Sequence, residues 1–250
     1  MSTHRFYLAP TQWASGRPQL NESDSHHCAD VLRLAVGDTI VIFDGQGTVA
    51  EAELLEVHRK HCSLQIGQRH QTPALRCAIT LIQAVPKGKN MDLVLQKAVE
   101  LGATEIVPLI SARTVVRIDD HGEADRKQER WQQIALEACK QCGRNSVPLV
   151  AAPVSLEGFL GKLPDVELLL LASLQPGAKT IKEVLSEHQH SAGGLPASVA
   201  VIVGPEGDFT PGEIALLKEA RALPITLGPT ILRAETAALY SLSVLGHELL

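Results

Sequence analysis

Two stretches near the C-terminus set glycine, proline and charge at the ends of apolar runs. The first is Val203-Gly204-Pro205-Glu206-Gly207-Asp208-Phe209. The second is Leu227-Gly228-Pro229-Thr230-Ile231-Leu232-Arg233-Ala234-Glu235-Thr236-Ala237. Gly204, Gly207 and Gly228 let the backbone approach a ligand and leave its amides unhindered. A larger side chain at 204 is therefore expected to fill the space that a ligand would take. Neither stretch has G-x-G-x-x-G spacing and no G-K-[ST] follows, so a dinucleotide fingerprint and a P-loop are both excluded. Turns that offer backbone donors and acceptors without a phosphate-binding lysine suit a ring such as adenine. One such turn would ordinarily be no more than a tight connection. Two of them at strand ends, flanked by Glu206, Arg233 and Glu235, point to a site. Taken singly, Glu235 is explained equally well as compensation of a helix N-terminal dipole, whereas a salt bridge holding the turn explains Arg233 less well than a contact with a ligand.

The surrounding pattern supplies elements to hold these turns. Thr210, Pro211 and Glu213 predict a helix with a capping box directly after the first turn. From residue 78 onward, apolar runs at 79–85, 105–110, 167–171, 197–203 and 225–227 alternate with helical periodicity at 91–101, 123–142, 181–188, 211–222 and 235–250. That alternation predicts an α/β fold with a mostly parallel sheet covered by helices on both faces. The first seventy residues read differently. A short helix is expected over 23–34. Strands at 39–43, 48–57 and 62–66, with the turn Asp44-Gly45-Gln46-Gly47, suggest a small β-barrel. Gln71-Thr72-Pro73 is the expected linker, dividing the chain into domains 1–72 and 73–250.

Composition narrows the function classes. The chain has 250 residues, 45% of them hydrophobic and 20% charged, as expected of a globular protein. No apolar run is long enough to span a bilayer and the N-terminus lacks a secretory signal, so the cytoplasm is expected and a membrane partner is not. Five scattered cysteines argue against a disulfide framework. Cys139-Lys-Gln-Cys142 falls inside a predicted helix without a second Cys/His pair, so it reads as two buried or half-buried thiols, and no metal is expected. The net charge of −5 does not advertise a nucleic-acid binder. Residues 76–144 are nevertheless slightly basic, and residues 1–75 carry His4, His26, His27, His58, His61 and His70. Any polyanion should therefore meet the front and middle of the chain, although this distribution also fits an ordinary solvated surface.

With these residues in view, the chain resembles the SPOUT superfamily of knotted methyltransferases, and within it the RsmE family, the uracil-N3 methyltransferases of 16S ribosomal RNA. The similarity rests on Gly204-Pro-Glu-Gly-Asp-Phe-Thr210 with Glu213, and on Leu227-Gly228 followed by Ile231-Leu232-Arg233-Ala-Glu235-Thr236-Ala237. It extends to Lys87, Met91-Asp92, Gln96-Lys97-Ala98, Glu100-Leu101-Gly102-Ala103, Arg113, Trp131, Glu137-Ala138, Gln141, Arg144 and Pro148. At the front, Arg5-Phe6, Val31-Leu32-Arg33-Leu34 and Val36-Gly37-Asp38 fit weakly. Three departures stand out: Thr230 where the family often has Arg, Ala172-Ser173 where a His is common, and Cys142 in place of a frequent Ser.

The resemblance implies a SPOUT-type sheet with a C-terminal trefoil knot, a PUA-like N-terminal barrel that binds RNA, and a homodimer. It implies S-adenosyl-L-methionine as cofactor, held by Leu171, Ala172, Val203, Gly204, Pro205, Glu206, Gly207, Leu227, Gly228, Ile231, Leu232, Thr236 and Ala237. Arg233, Glu235, Glu206 and Arg144 become candidates for the chemistry, with Arg5 or Arg144 supplied by the second subunit. Arg5, Lys87, Arg113, Arg117 and Arg144 become candidates for RNA phosphates, and the partner is 16S ribosomal RNA or the small ribosomal subunit. Two other functions stay open at this point: ribose 2′-O-methylation, and a non-catalytic ribosomal RNA-binding assembly factor.

Overall fold

The computed structural model describes residues 4–115 and 121–250. It divides into two compact units, one of residues 1–74 with 136–147 and the other of 75–135 with 148–250. The first unit thus takes in residues 136–147, which the sequence pattern places in the second domain.

The first unit holds a four-stranded sheet in the order β1-β2-β3-β4, formed by Arg5–Tyr7 (β1), Thr39–Phe43 (β2), Thr48–His58 (β3) and His61–Gln71 (β4). β1 runs parallel to β2, and β2, β3 and β4 are antiparallel neighbours. β1 and β4 are the two ends of this order, and residues 18–20 pair with β4 through a bridge between Gln19 and Ser63. The β2–β3 turn is fixed by Asp44, whose Oδ1 accepts from the amides of Gln46 at 2.7 Å and Thr48 at 2.9 Å. Between β1 and β2 lie the short helices Pro10–Trp13 (α1) and Glu22–His26 (α2), and α2 runs into a π-helical turn at His27–Val31. The single helix expected over 23–34 is therefore shorter and irregular. The core joins Phe6, Trp13, Cys28, Ile40, Ile42 and Leu54, all buried.

The second unit is an eight-stranded sheet in the order β10-β12-β9-β11-β5-β6-β7, with β8 also pairing β6. In chain order its elements are β5 (Ala78–Ala84), α3 (Asn90–Glu100), β6 (Glu105–Ile110), α4 (His121–Cys142), β7 (Leu149–Val150), β8 (Val154–Ser155), α5 (Leu156–Leu160), β9 (Leu168–Ala172), β10 (Lys179–Thr180), α6 (Ile181–Ala192), β11 (Ser198–Val203), α7 (Pro211–Glu219), β12 (Leu223–Thr226) and α8 (Ala234–Leu249). The pairings are parallel, as strand–helix alternation requires. In β11, Val199 to Val203 are all buried, because helices cover both faces. One face packs Ile82, Leu171, Ile202, Phe209 and Leu217 together. α8 lies against α3, and its Gly246 sits so close that a Cβ there would meet the Leu101 carbonyl oxygen at 3.1 Å.

The C-x-x-C pair departs from expectation at one position. Cys139 is buried, and that burial pushes its thiol up to about 12. Cys142, one turn on, is exposed. Among the described residues, no group of His, Cys, Asp and Glu has a metal-binding arrangement, and no helix is long and apolar enough to cross a membrane.

Candidate functional site

Three neighbouring strands of the second unit, β12, β9 and β11, end on one edge of the sheet, and their following loops enclose a cavity of about 500 Å³. Residues 172–175 form the wall after β9, residues 203–206 with Asp208 the wall after β11, and residues 226–233 the wall after β12. Ala234 and Ala237 from the first turns of α8 complete the enclosure. The carboxyl ends of parallel strands are where open α/β sheets bind ligands. The structure thus brings together ten of the thirteen residues expected to hold a cofactor. Leu171, Gly207 and Thr236 are not part of the lining. Leu171 is buried in the core beneath it, Gly207 lies against the Arg113 stem, and Thr236 is exposed on α8.

The turn after β11 is held by its neighbours. The capping box of α7 is complete: Thr210 Oγ1 accepts from the Glu213 amide, and Glu213 Oε2 accepts from the Thr210 amide and hydroxyl. The other carboxylate oxygen of Glu213 accepts from the Ala112 amide at 2.8 Å. Arg113 Nη1 donates to the Gly207 carbonyl at 2.5 Å, and Glu206 Oε1 accepts from the Lys87 amide at 2.9 Å. Asp208 adopts a left-handed φ of 58°, with its Oδ1 accepting from the Phe209 amide at 2.7 Å.

The reason for glycine at 204 differs from the one expected. A Cβ there would meet the Phe209 ring and Asp208 Oδ1 at 3.2–3.3 Å, so it would press on a buried ring of the turn instead of filling the cavity. Gly228 has a different constraint: its φ is +111° with open space around it, so conformation alone demands glycine.

Arg233 lines the cavity as the N-cap residue of α8 and is exposed. Glu235, two residues further, is half-buried and lies outside the lining. Neither side chain has a hydrogen-bond or ion-pair partner among the described residues, so the salt bridge considered for Arg233 is not formed. Glu206 is the candidate carboxylate that does line the cavity. Sequence reasoning missed residues 173–175, Asp208, Thr226 and Ala234 as wall residues. Ala234 lies inside the second signature and could have been read from it. Ser173-Leu174-Gln175 carries no signal of its own. Leu174 is 60% exposed and Ile231 81%, an unusual degree for apolar side chains and a mark of an open mouth.

The remaining expected RNA contacts divide. Lys87 and Arg113 flank the turn just described, Lys87 bonded to it through its backbone amide and Arg113 through its guanidinium. Arg5 and Arg144 belong to the first unit. Arg5 lies over the Phe43 ring at 5.2 Å and donates to Asn145 Oδ1 at 2.5 Å, and burial lowers its pKa. Burial likewise lowers that of Arg144. Arg117 lies outside the described residues.

The chain is similar to known proteins along most of its length. The RNA methyltransferase domain family matches residues 73–246, and the RNA methyltransferase PUA domain family matches residues 20–67. Ribosomal RNA small subunit methyltransferase E of Bacillus subtilis is 34% identical over 89% of this chain and 87% of its own. The protein of the same name from Synechocystis is 32% identical over 96% and 76%. The crystal structure of ribosomal RNA small subunit methyltransferase E from Neisseria gonorrhoeae, bound to S-adenosyl methionine, superposes with a TM-score of 0.85 at 33% identity, covering 98% of each chain. By its domain match and by these relatives, the chain belongs to the RsmE family of SPOUT RNA methyltransferases, the family that its two C-terminal signatures resemble.

Proposed function

We propose that this chain methylates N3 of a uridine in 16S ribosomal RNA, with S-adenosyl-L-methionine as donor in the β12–β9–β11 cavity. The observation that carries this reading is the set of cavity walls: backbone-rich turns, small residues Ala172, Gly204, Ala234 and Ala237, and one cation, Arg233, at the lining. Such walls fit the donor. The alanines leave room for a flat ring, and the turns present amides and carbonyls to its polar edge. When bound, the donor supplies a methyl carbon activated by a sulfonium.

The chain's own residues must make uracil nucleophilic. N3 carries a proton, so its lone pair is available only as that proton leaves. Glu206 takes it on the carboxylate oxygen not bonded to the Lys87 amide, and Arg233 stabilises the negative charge spread over the uracil oxygens. The N3 lone pair then forms the bond to the methyl carbon, and the C–S electron pair returns to sulfur, leaving a neutral thioether. Glu235, in the first turn of α8, is assigned to dipole compensation. The target base must be unpaired or extruded to reach the cavity. We place the enzyme in the cytoplasm as a homodimer, with residues 226–233 and α8 threaded as a trefoil knot, and with Arg5 and Arg144 of the first unit facing RNA.

Glu206→Gln tests the assignment. Glutamine keeps an oxygen for the Lys87 amide but removes the base, so kcat should fall by about 10²–10⁴. Affinity for S-adenosylhomocysteine, read by titration calorimetry, should stay within about threefold, less than one lost hydrogen bond would cost. Undiminished turnover would remove Glu206 from the chemistry.

A further inference from the structure

Arg113 is a cation on a loop end, and its residue type suggests a phosphate contact. Its surroundings give it other work. The guanidinium donates to the Gly207 carbonyl, and its stem passes under the same glycine, where a Cβ on Gly207 would meet Arg113 Cδ at 3.4 Å. The preceding residue, Ala112, donates its amide to Glu213. Glu213 is only 9% exposed and uses both oxygens, one on the segment after β6 and one on the Thr210 cap. Two consecutive residues after β6 are thus tied to the two ends of the 207–213 stretch. That stretch continues directly from the cavity wall, and β6 is two strands away from β11, across β5.

We propose that Arg113 and Glu213 are positioning residues for the methyl donor, clamping the turn after β11 to the segment after β6 so that residues 203–208 keep the shape of the cavity wall. The proposal rests on the donor reading of that cavity. A turn carrying glycine at 204 and 207 has little stiffness of its own. Removing the clamp therefore leaves the fold but lets the wall spread, and the loss falls on the donor, leaving RNA affinity unchanged.

The protein contains its own control. α6 begins with the same capping box, Thr180 with Glu183, without a bond to another strand end among the described residues. Glu183→Gln and Glu213→Gln should therefore cost similar cap energy. Glu213→Gln additionally sets an amide NH2 against a backbone N–H, and should weaken S-adenosylhomocysteine binding about tenfold. Glu183→Gln should leave that binding unchanged. Arg113→Ala should weaken it by about 3–10-fold, with Arg113→Lys recovering most of the loss. The salt dependence of binding to 16S ribosomal RNA should be the same for Arg113→Ala and wild type. A phosphate contact would do the reverse: S-adenosylhomocysteine affinity unchanged and the log–log salt slope flattened by about one. That result, or unchanged affinity in both Arg113→Ala and Glu213→Gln, overturns the proposal. Failure of the wild-type chain itself to bind S-adenosylhomocysteine would instead overturn the donor reading.

Discussion

Arg233→Ala is expected to lower methyl transfer by about 10²–10³-fold, the usual effect of removing one charge-stabilising group from an active site. Arg233 lines the cavity without an ionic partner among the described residues, so its charge is not committed to holding the turn. It also sits just before the first turn of α8, where the dipole disfavours a cation. A cation kept in that place without a carboxylate beside it is suited to an anion that arrives with the substrate. In the proposed reaction, the developing charge on uracil is such an anion. S-adenosylhomocysteine affinity should remain within about threefold of wild type, since the substrate-side charge is not part of its binding. Single-turnover rates and titration calorimetry separate the two quantities. Lost cofactor affinity with a normal single-turnover rate at saturation would move Arg233 to the cofactor.

The largest stability effect is expected at Lys140, in the first unit. Its ammonium is 2.7 Å from Asp24 and 2.9 Å from Glu137, with the Lys140 and Asp24 side chains only 13% and 8% exposed. Lys140→Met leaves the Asp24 carboxylate buried with its charge uncompensated, at a cost of about 3–5 kcal/mol. Urea unfolding followed by Trp13 fluorescence, in a Trp131→Phe background, reads this in the first unit. The pH dependence has a definite sign. Burial pulls the Lys140 ammonium down, but its hydrogen bonds to Asp24 and Glu137 outweigh that, and its pKa is raised. A raised pKa gives stability that is full below the ordinary lysine value and is lost as pH rises through the elevated one. The gap between wild type and Lys140→Met should therefore persist at neutral pH and shrink only in strong alkali. A gap that shrinks already between pH 6 and 9 would contradict this assignment.

Much of the second unit was legible because its signals are strong. Residues 105–110 form the strand expected there, and Thr210-Pro211 with Glu213 start α7 where the capping box requires. The two glycine turns face one cavity, as their shared composition suggested. What escaped was short or non-local. β7, β8 and β10 have two residues each, too few for any periodicity. Ser173–Gln175 becomes a wall only because β9 lies between β11 and β12, an adjacency that no local pattern contains. For Arg113 the residue type is visible in sequence, and the Gly207 carbonyl that its guanidinium binds is not. Gly204 was read as making room for a ligand, whereas it makes room for Phe209.

The central claim is a specific methyl on a specific atom. The most direct measurement is mass spectrometry of nucleosides from 16S ribosomal RNA of a strain lacking this chain, before and after incubation with the purified protein and S-adenosyl-L-methionine. The account predicts that 3-methyluridine is missing from the deletion strain and restored by the wild-type protein, but not by Arg233→Ala. Restoration of a 2′-O-methylated nucleoside, or no transfer at all despite RNA binding, would contradict it.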